Sequence, residues 1–469
     1  MTRRAGTRRV SCPRVRSVAG LAVLGHITLI AAQHSLAYDD RPLQSVALYV
    51  IALTVITITY VASMWHAKHA AATARRYLIV LPLAIQLMWL VPLPTLSIDA
   101  YSYVVDAATI DAGGNPYARP VRDAAQTPLG RELGRYRWRP VHGTSPYGPA
   151  WMNALRVVAP LSGTPVAAVR AIKTLAMIAV VVSGLILCAL APPGGRLVVL
   201  TAFWWNPAVI VEAAGEGHND ALMIVGVLAA VWALQRRWPV IAAVSLTLAI
   251  LTKYVPVLFC LPCAAYAWRA RLINRRVVLV AAAVSGAVAV ILFLPFWIGA
   301  RTFDAVRRVG YPDVIASSTG ALLYVLPQSL IVIRLLRVSA VLATGLLVVR
   351  GAIKSMRQPG ALLHVCADLA LLYVVVSSPL FWAWYMLLPI ALIAATGNLP
   401  LLCVVTVASR LVAPLDQLRV YGILNNPAQV WLTTIIALWV PLAFLVWQRA
   451  RSAAPDNPGP ANATAAISI

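Results

Sequence analysis

A carboxylate stands a few residues after a long apolar run, in the segment Pro92-Leu-Pro94-Thr-Leu-Ser-Ile-Asp99. If that run crosses a membrane, Asp99 lies at the membrane interface. There it could take a proton from a hydroxyl group while a lipid-borne leaving group sits in the bilayer beside it, which is general-base catalysis. An acid at a helix end can also be merely solvated, and its position alone leaves both interpretations open.

The residues that follow Asp99 mix arginines with aromatic side chains. Arginine suits a phosphate through its paired donors, and an aromatic ring suits the face of a sugar. Contacts with lipid headgroups, or ion pairs with Asp123 and Glu132, would explain the same composition. The candidates for binding a donor phosphate or sugar are Tyr101, Tyr103, Arg137 and Arg139, and those for stacking on an acceptor or sugar are Trp138 and Tyr147.

A second polar element, Gly217-His218-Asn219-Asp220, immediately precedes another apolar run. Asn219 or Asp220 could cap the helix that begins there, and a helix N-terminus favours an anion. His218 could donate a hydrogen bond to a phosphate or a sugar, or it could be merely interfacial. We therefore count His218, Asn219 and Asp220 among the candidate donor-binding residues.

Two further features lie in apolar surroundings. Lys253 is an ionisable residue inside an apolar stretch, which is a functional hypothesis by default. It could face a lipid phosphate, or its chain could extend to the membrane surface. Trp384 and Tyr385 close the run Phe381-Trp-Ala-Trp-Tyr385 and could stack on a sugar, although an aromatic belt at the membrane surface has the same composition.

The composition indicates which elements must hold these residues. Of 469 residues, 61% are hydrophobic and 12% are charged, and the mean hydropathy is +0.79. Apolar runs of roughly 18 to 22 residues recur throughout, the length that crosses a bilayer. These values exclude a soluble globule and predict an all-α polytopic membrane protein. The net charge of +24 lies in short clusters between apolar runs, so it indicates orientation in the membrane and no nucleic-acid partner.

The positions of the apolar runs predict 12 to 14 crossings with both termini in the cytoplasm. Residues 1–16 form a basic cytoplasmic segment, 17–448 the membrane domain, and 449–469 a disordered cytoplasmic tail. A large loop, 95–163, lies on the outer side and carries the site. The stretch 239–268 is basic at both ends, so it should form two short helices or a re-entrant hairpin turning near Lys253. The predicted helices are 17–37, 43–65, 76–94, 164–190, 196–212, 220–235, 277–298, 329–349, 361–378, 383–397, 398–414 and 429–448.

Seven motifs in order along the chain resemble those of a known family. They are Ile98-Asp99-Ala-Tyr101-Ser-Tyr103, Gly114-Asn-Pro-Tyr117, Ser145-Pro-Tyr-Gly-Pro149, Trp205-Asn-Pro207, Gly217-His-Asn-Asp-Ala221, Thr252-Lys-Tyr-Val-Pro256 and Phe381-Trp-Ala-Trp-Tyr385. They look like the polyprenol-phosphate-mannose-dependent α-1,6-mannosyltransferases, integral-membrane glycosyltransferases of the GT-C class from actinobacteria. The resemblance covers most of the chain.

The resemblance implies a GT-C-like fold, a polyprenyl-phosphate-mannose donor, transfer on the outer face of the plasma membrane, and an essential aspartate that corresponds to Asp99. Asp106 is the nearest candidate for a second acid. We expect no metal site, because no His/Cys/Asp cluster has ligand spacing, and we expect no cofactor besides the lipid-linked sugar. The expected acceptor is an envelope glycolipid or glycan, joined through an α-1,6 linkage with inversion.

In the expected mechanism Asp99 deprotonates the acceptor, while Lys253, His218 or a loop arginine stabilises the leaving phosphate. Two alternatives remain open. The first is transfer of another sugar, such as arabinofuranose, from a polyprenyl phosphate. The second is a transporter or flippase of lipid-linked sugars, for which only Asp368 lies deep in a predicted span.

Overall fold

The computed structural model describes residues 12–39, 41–69, 72–136, 138–139, 143–309, 316–327 and 329–453. Within these ranges the chain is almost entirely helical, and the only β-type pairing there is a single bridge between Ile298 and Ala300. The predicted all-α class is therefore confirmed. The first eleven residues, Arg137 and residues 454–469 of the predicted tail lie outside the described ranges.

The first half contains α1 (Cys12–Tyr38), α2 (Pro42–His69), α3 (Ala72–Trp89), α4 (Asp99–Asp111), α5 (Pro128–Gly134), α6 (Pro149–Val158), α7 (Pro165–Leu190), α8 (Arg196–Trp204), α9 (Pro207–Val209), α10 (Asp220–Gln235), α11 (Pro239–Thr252) and α12 (Cys260–Arg269). The second half contains α13 (Arg275–Phe293), α14 (Asp304–Val309), α15 (Ser318–Leu322), α16 (Leu330–Arg357), α17 (Leu362–Leu372), α18 (Leu387–Thr396), α19 (Leu399–Arg410), α20 (Val412–Val420), α21 (Asn426–Thr433) and α22 (Val440–Ala453). Short 3₁₀ and π-helical turns connect or extend several of these helices.

Seven helices in the described ranges are long and apolar enough to cross a membrane. An eighth span results if Pro193–Trp204 and Pro207–Gly215, which meet at 48°, are counted together. Five shorter apolar helices pack among them. The protein is thus a polytopic membrane protein, while the count of 12 to 14 crossings and the sides of the termini stay predictions.

Two prolines and one asparagine explain two departures of the helices from the boundaries predicted from the sequence. The third helix was predicted to reach residue 94 but ends at Trp89, before Pro92 and Pro94, because a residue that precedes proline avoids helical geometry. The predicted continuous helix 196–212 is also wrong. Asn206 breaks it by accepting the backbone N–H groups of Ala208 and Val209 and so starts a new helix.

The stretch 239–268 forms two short helices, α11 and α12, which is one of the two arrangements predicted from the sequence. The break between them begins at Lys253, whose backbone is extended, and Pro256 follows within a 3₁₀ turn. This break places Lys253 at the junction of the two helices, where its side chain can leave the apolar surroundings of the helix faces.

The predicted loop 95–163 contains three helices, α4 to α6, and has an apolar core of its own. Tyr101, Tyr103 and Trp151 are each at most 1% exposed, and this core continues onto α7 through Val169 and Ile172. Gly113, with φ of +70°, follows the end of α4 in the left-handed region that glycine favours. A packed loop of this kind can hold Asp99 at a fixed position.

Candidate active site

Asp99 is the first residue of α4 and is 7% exposed. Its backbone N–H donates to Ser97 Oγ at 3.1 Å, and its Oδ2 accepts a hydrogen bond from the Tyr147 hydroxyl at 3.0 Å. Burial, and then the charge of Asp99, hold the pKa of Tyr147 well above its usual range. The phenol therefore keeps its proton and remains a donor that orients the carboxylate.

His218 lies between two carboxylates. Its Nδ1 is 3.7 Å from Asp99 Oδ2, and its Nε2 is 3.1 Å from Glu212 Oε2. The imidazole is fully buried and stacks on Trp384, with 4.0 Å between ring centroids. Glu212 in turn pairs with the buried side chain of Arg410. We call Asp99, His218, Glu212 and Arg410 the polar row; it runs from α4 into α19.

A π-helical segment positions the middle of the polar row. Residues Ile210–Gly215 form this segment, which carries Glu212, and π-helical turns are frequent at functional sites. Gly217 follows with φ of +78°, and a Cβ there would lie 3.2 Å from Lys173. Only glycine fits this backbone comfortably, and the turn brings His218 back beside Glu212.

Glu216 fixes the chain that leads to Asp99. Its carboxylate accepts the backbone N–H groups of Thr95 at 3.4 Å, Leu96 at 3.2 Å and Ser97 at 3.0 Å. Burial raises the pKa of Glu216. The three bonds join the start of the segment 95–163 to the π-helical segment, so the position of Asp99 depends on Glu216.

Lys253 pairs with Asp220, the first residue of α10. Its Nζ lies 2.7 Å and 2.9 Å from the two carboxylate oxygens and 4.8 Å from the ring centre of Tyr385. The side chain of Lys253 is 16% exposed and that of Asp220 is 4% exposed. The structure thus brings three predicted site residues together, as a compensated ion pair beside an aromatic ring.

The predicted side-chain cap at the start of α10 is wrong. Asn219 occupies the capping position with φ of −67° and ψ of −10°, and it makes no side-chain capping bond. The reason is its helical backbone, because a capping side chain normally needs an extended one. Neither polar atom of the buried Asn219 amide has a hydrogen-bond partner among the described residues.

Three of the predicted residues are engaged inside the loop core. The Tyr101 hydroxyl donates to the Pro94 carbonyl at 2.8 Å, and Trp138 Nε1 donates to Ser102 Oγ at 3.2 Å. Tyr103 packs edge-on against Tyr147, with ring centroids 5.0 Å apart. All three are buried, so they support the walls of the site. Arg139 is exposed, and Arg137 lies outside the described residues.

The site residues predicted from the sequence did not include Glu212, Glu216 or Arg410. They also did not include Trp382, which stacks on Trp384. Arg410 could have been found by the argument applied to Lys253, because it is also an ionisable residue inside an apolar run, 399–412. Within the described ranges, no three His, Cys, Asp or Glu side chains converge so as to hold a metal ion. The arrangement offers an oriented, largely buried carboxylate next to a membrane helix, and such a group can accept a proton from a bound hydroxyl.

Comparison with known families decides the class of reaction. Residues 15–271 match the family described as alpha-(1->6)-mannopyranosyltransferase, N-terminal domain, and this range is more than half of the chain. The chain belongs to this family. No curated protein matches the sequence. The match confirms the predicted membership of an α-1,6-mannosyltransferase family, and Asp99, Tyr147, His218 and Lys253 lie within the matched range.

Family membership makes the protein a membrane-bound glycosyltransferase that uses a sugar donor and an acceptor. Its candidate site is not confined to the matched range. Trp384 and Arg410 come from the C-terminal half, yet they contact His218 and Glu212. The mannosyltransferase therefore completes its site with helices that lie beyond the matched residues.

Proposed function

We propose that the protein transfers mannose from a polyprenyl-phosphate-linked donor to an envelope glycolipid or glycan, forming an α-1,6 linkage with inversion. The observation that carries this proposal is Asp99, held by Tyr147 and Ser97 at the start of α4, a short distance after α3 ends. A lipid-linked donor must react near the membrane surface, and there an oriented carboxylate can activate the acceptor hydroxyl.

In the proposed reaction Asp99 accepts the proton of the acceptor hydroxyl as its oxygen attacks the anomeric carbon. The bond from that carbon to the phosphate oxygen breaks, and the polyprenyl phosphate leaves. Lys253, or the exposed Arg139, stabilises the phosphate charge. His218 is enclosed between Asp99 and Glu212, so in this mechanism it positions the base.

The proposed location is the plasma membrane, with the site on the outer face and both termini in the cytoplasm. Basic clusters such as Arg269 with Arg271 and Arg275 with Arg276 support this orientation. The proposal assigns the charge of the leaving phosphate to cationic side chains and includes no metal or other cofactor.

The test is a comparison of donors with purified protein in lipid vesicles. Labelled polyprenyl-phosphate-mannose, GDP-mannose and polyprenyl-phosphate-arabinofuranose are each offered with a mannoside acceptor, and the product linkage is determined by NMR. We expect transfer from the lipid-linked mannose alone, with the anomeric configuration opposite to that of the donor. Transfer only from GDP-mannose or from the pentose donor would overturn the proposal, as would movement of lipid-linked sugar across the vesicle without a new glycosidic bond.

A further inference from the structure

A cavity of about 260 Å³ borders the polar row. Glu212, Ser97 and Trp384 form part of its wall. The rest comes mainly from helices α19, α20 and α21, which lie beyond the residues that match the family. Ser97 also accepts the backbone N–H of Asp99, so the cavity wall includes a residue two positions before the carboxylate that we propose as the base.

One wall of the cavity is an exposed aromatic ring. Trp382 is 40% exposed and stacks in parallel on Trp384, with 5.3 Å between centroids. Trp384 is itself stacked on His218. The two rings behind it hold Trp382 in place, and ligand sites commonly combine such aromatic walls with a few polar groups.

Polar atoms without protein partners line the same cavity. Gln417 is 8% exposed, and its Oε1 has no hydrogen-bond partner in the described part of the chain. In the described part of the chain, Nε and Nη1 of the fully buried Arg410 also have no hydrogen-bond partner. Buried polar groups are nearly always satisfied. A ligand that both donates and accepts hydrogen bonds would satisfy these groups, and sugar hydroxyls do both.

The charges around the cavity compensate one another. Glu212 pairs with Arg410, and Asp416 pairs with Arg419 at 2.9 Å. These four are the only charged residues among the described residues of its wall. A phosphate group would find no surplus positive charge there, so the cavity favours a neutral ligand over the lipid phosphate of the donor.

We propose that this cavity binds one neutral sugar ring of the acceptor glycan, next to the ring whose hydroxyl Asp99 deprotonates. The inference rests on the proposed function and adds to it an acceptor subsite built by the C-terminal helices. It implies that an acceptor with two mannose units binds better than an acceptor with one.

The experiment varies octyl α-mannoside and octyl α-1,6-dimannoside at saturating polyprenyl-phosphate-mannose, in vesicles that contain the full-length protein. The variants are Trp382→Ala and Gln417→Leu. The matched control is Trp297→Ala, which removes another exposed tryptophan that lies outside the cavity wall. We expect each cavity variant to raise the KM for the dimannoside about tenfold while kcat and the donor KM stay near wild type, the pattern of a lost binding contact.

An unchanged preference for the dimannoside in both variants would overturn the inference, and so would a rise in the donor KM alone. Equilibrium dialysis of labelled dimannoside without any donor separates this failure from failure of the proposed function. In one outcome, the wild type transfers no mannose and still binds the dimannoside. If Trp382→Ala then abolishes that binding, the result supports the subsite and contradicts the proposed donor. Equal binding by both proteins overturns the subsite.

Discussion

Glu216 provides a quantitative test of how Asp99 is held in place. Glu216→Ala leaves the backbone N–H groups of Thr95, Leu96 and Ser97 without their acceptor. At about 1 kcal/mol for each hydrogen bond, the variant should lose about 3 kcal/mol of stability. Asp99 follows directly on this segment, and a displacement of about 1 Å in a reacting group can lower the rate about 100-fold. We therefore expect a large fall in kcat.

Glu216→Gln is the matched variant. One amide oxygen can replace Oε2, which accepts the two shorter bonds from Leu96 and Ser97, so only the 3.4 Å bond from Thr95 is lost. The expected loss is about 1 kcal/mol in stability, with kcat close to wild type.

The assay measures mannosyl transfer in vesicles together with thermal unfolding of the detergent-solubilised protein. Full activity in Glu216→Ala would show that the three hydrogen bonds do not position the base. Equal damage in the alanine and glutamine variants would show that the negative charge matters and the acceptor geometry does not. Either result would refute the reasoning.

Three further predictions concern the neighbours of Asp99 and the ion pair. Tyr147→Phe removes the donor that orients Asp99, so kcat should fall about tenfold with little change in the unfolding temperature; an unchanged kcat would contradict this. His218→Phe keeps an aromatic ring but loses the contacts with both carboxylates, and kcat should fall about 10- to 100-fold with the acceptor KM unchanged; a change in KM alone would indicate a binding role. Lys253→Met leaves Asp220 buried without its partner, so the free energy of unfolding should fall by about 3–5 kcal/mol, as measured by thermal unfolding. The double variant with Asp220→Asn should recover part of that loss, and no recovery would argue against the pair.

The all-α membrane class could be predicted from the apolar runs, because the thickness of the hydrocarbon layer sets the length of a spanning helix. The break at Lys253 followed from basic residues at both ends of 239–268, and α11 and α12 confirm it. The break at Asn206 was not predicted. Its capping bonds to Ala208 and Val209 are local, but its contacts with Tyr60 and Thr406 depend on distant helices. Spacing along the chain carries no information about such contacts.

The candidate site was predictable only in its local features. Asp99 was a candidate because it follows an apolar run and lies in the first of the family-like motifs, and the structure places Tyr147 and His218 beside it. The pairing of Glu212 with Arg410 joins positions 198 residues apart. A single sequence cannot show that contact, since no local periodicity relates the two residues. Trp138 and Tyr101 are buried in the loop core, a placement that their residue types did not indicate, and their roles in binding stay predictions.

The central claim, that Asp99 is the base for mannosyl transfer, is tested most directly by labelled transfer from polyprenyl-phosphate-mannose to membrane glycolipid. Wild type is compared with Asp99→Asn and with Asp111→Asn at equal membrane abundance. Asp111→Asn makes the same change at the exposed far end of α4. We predict that Asp99→Asn lowers turnover by about 10² to 10⁴ and that Asp111→Asn leaves it intact. Turnover near wild type in Asp99→Asn would contradict the account.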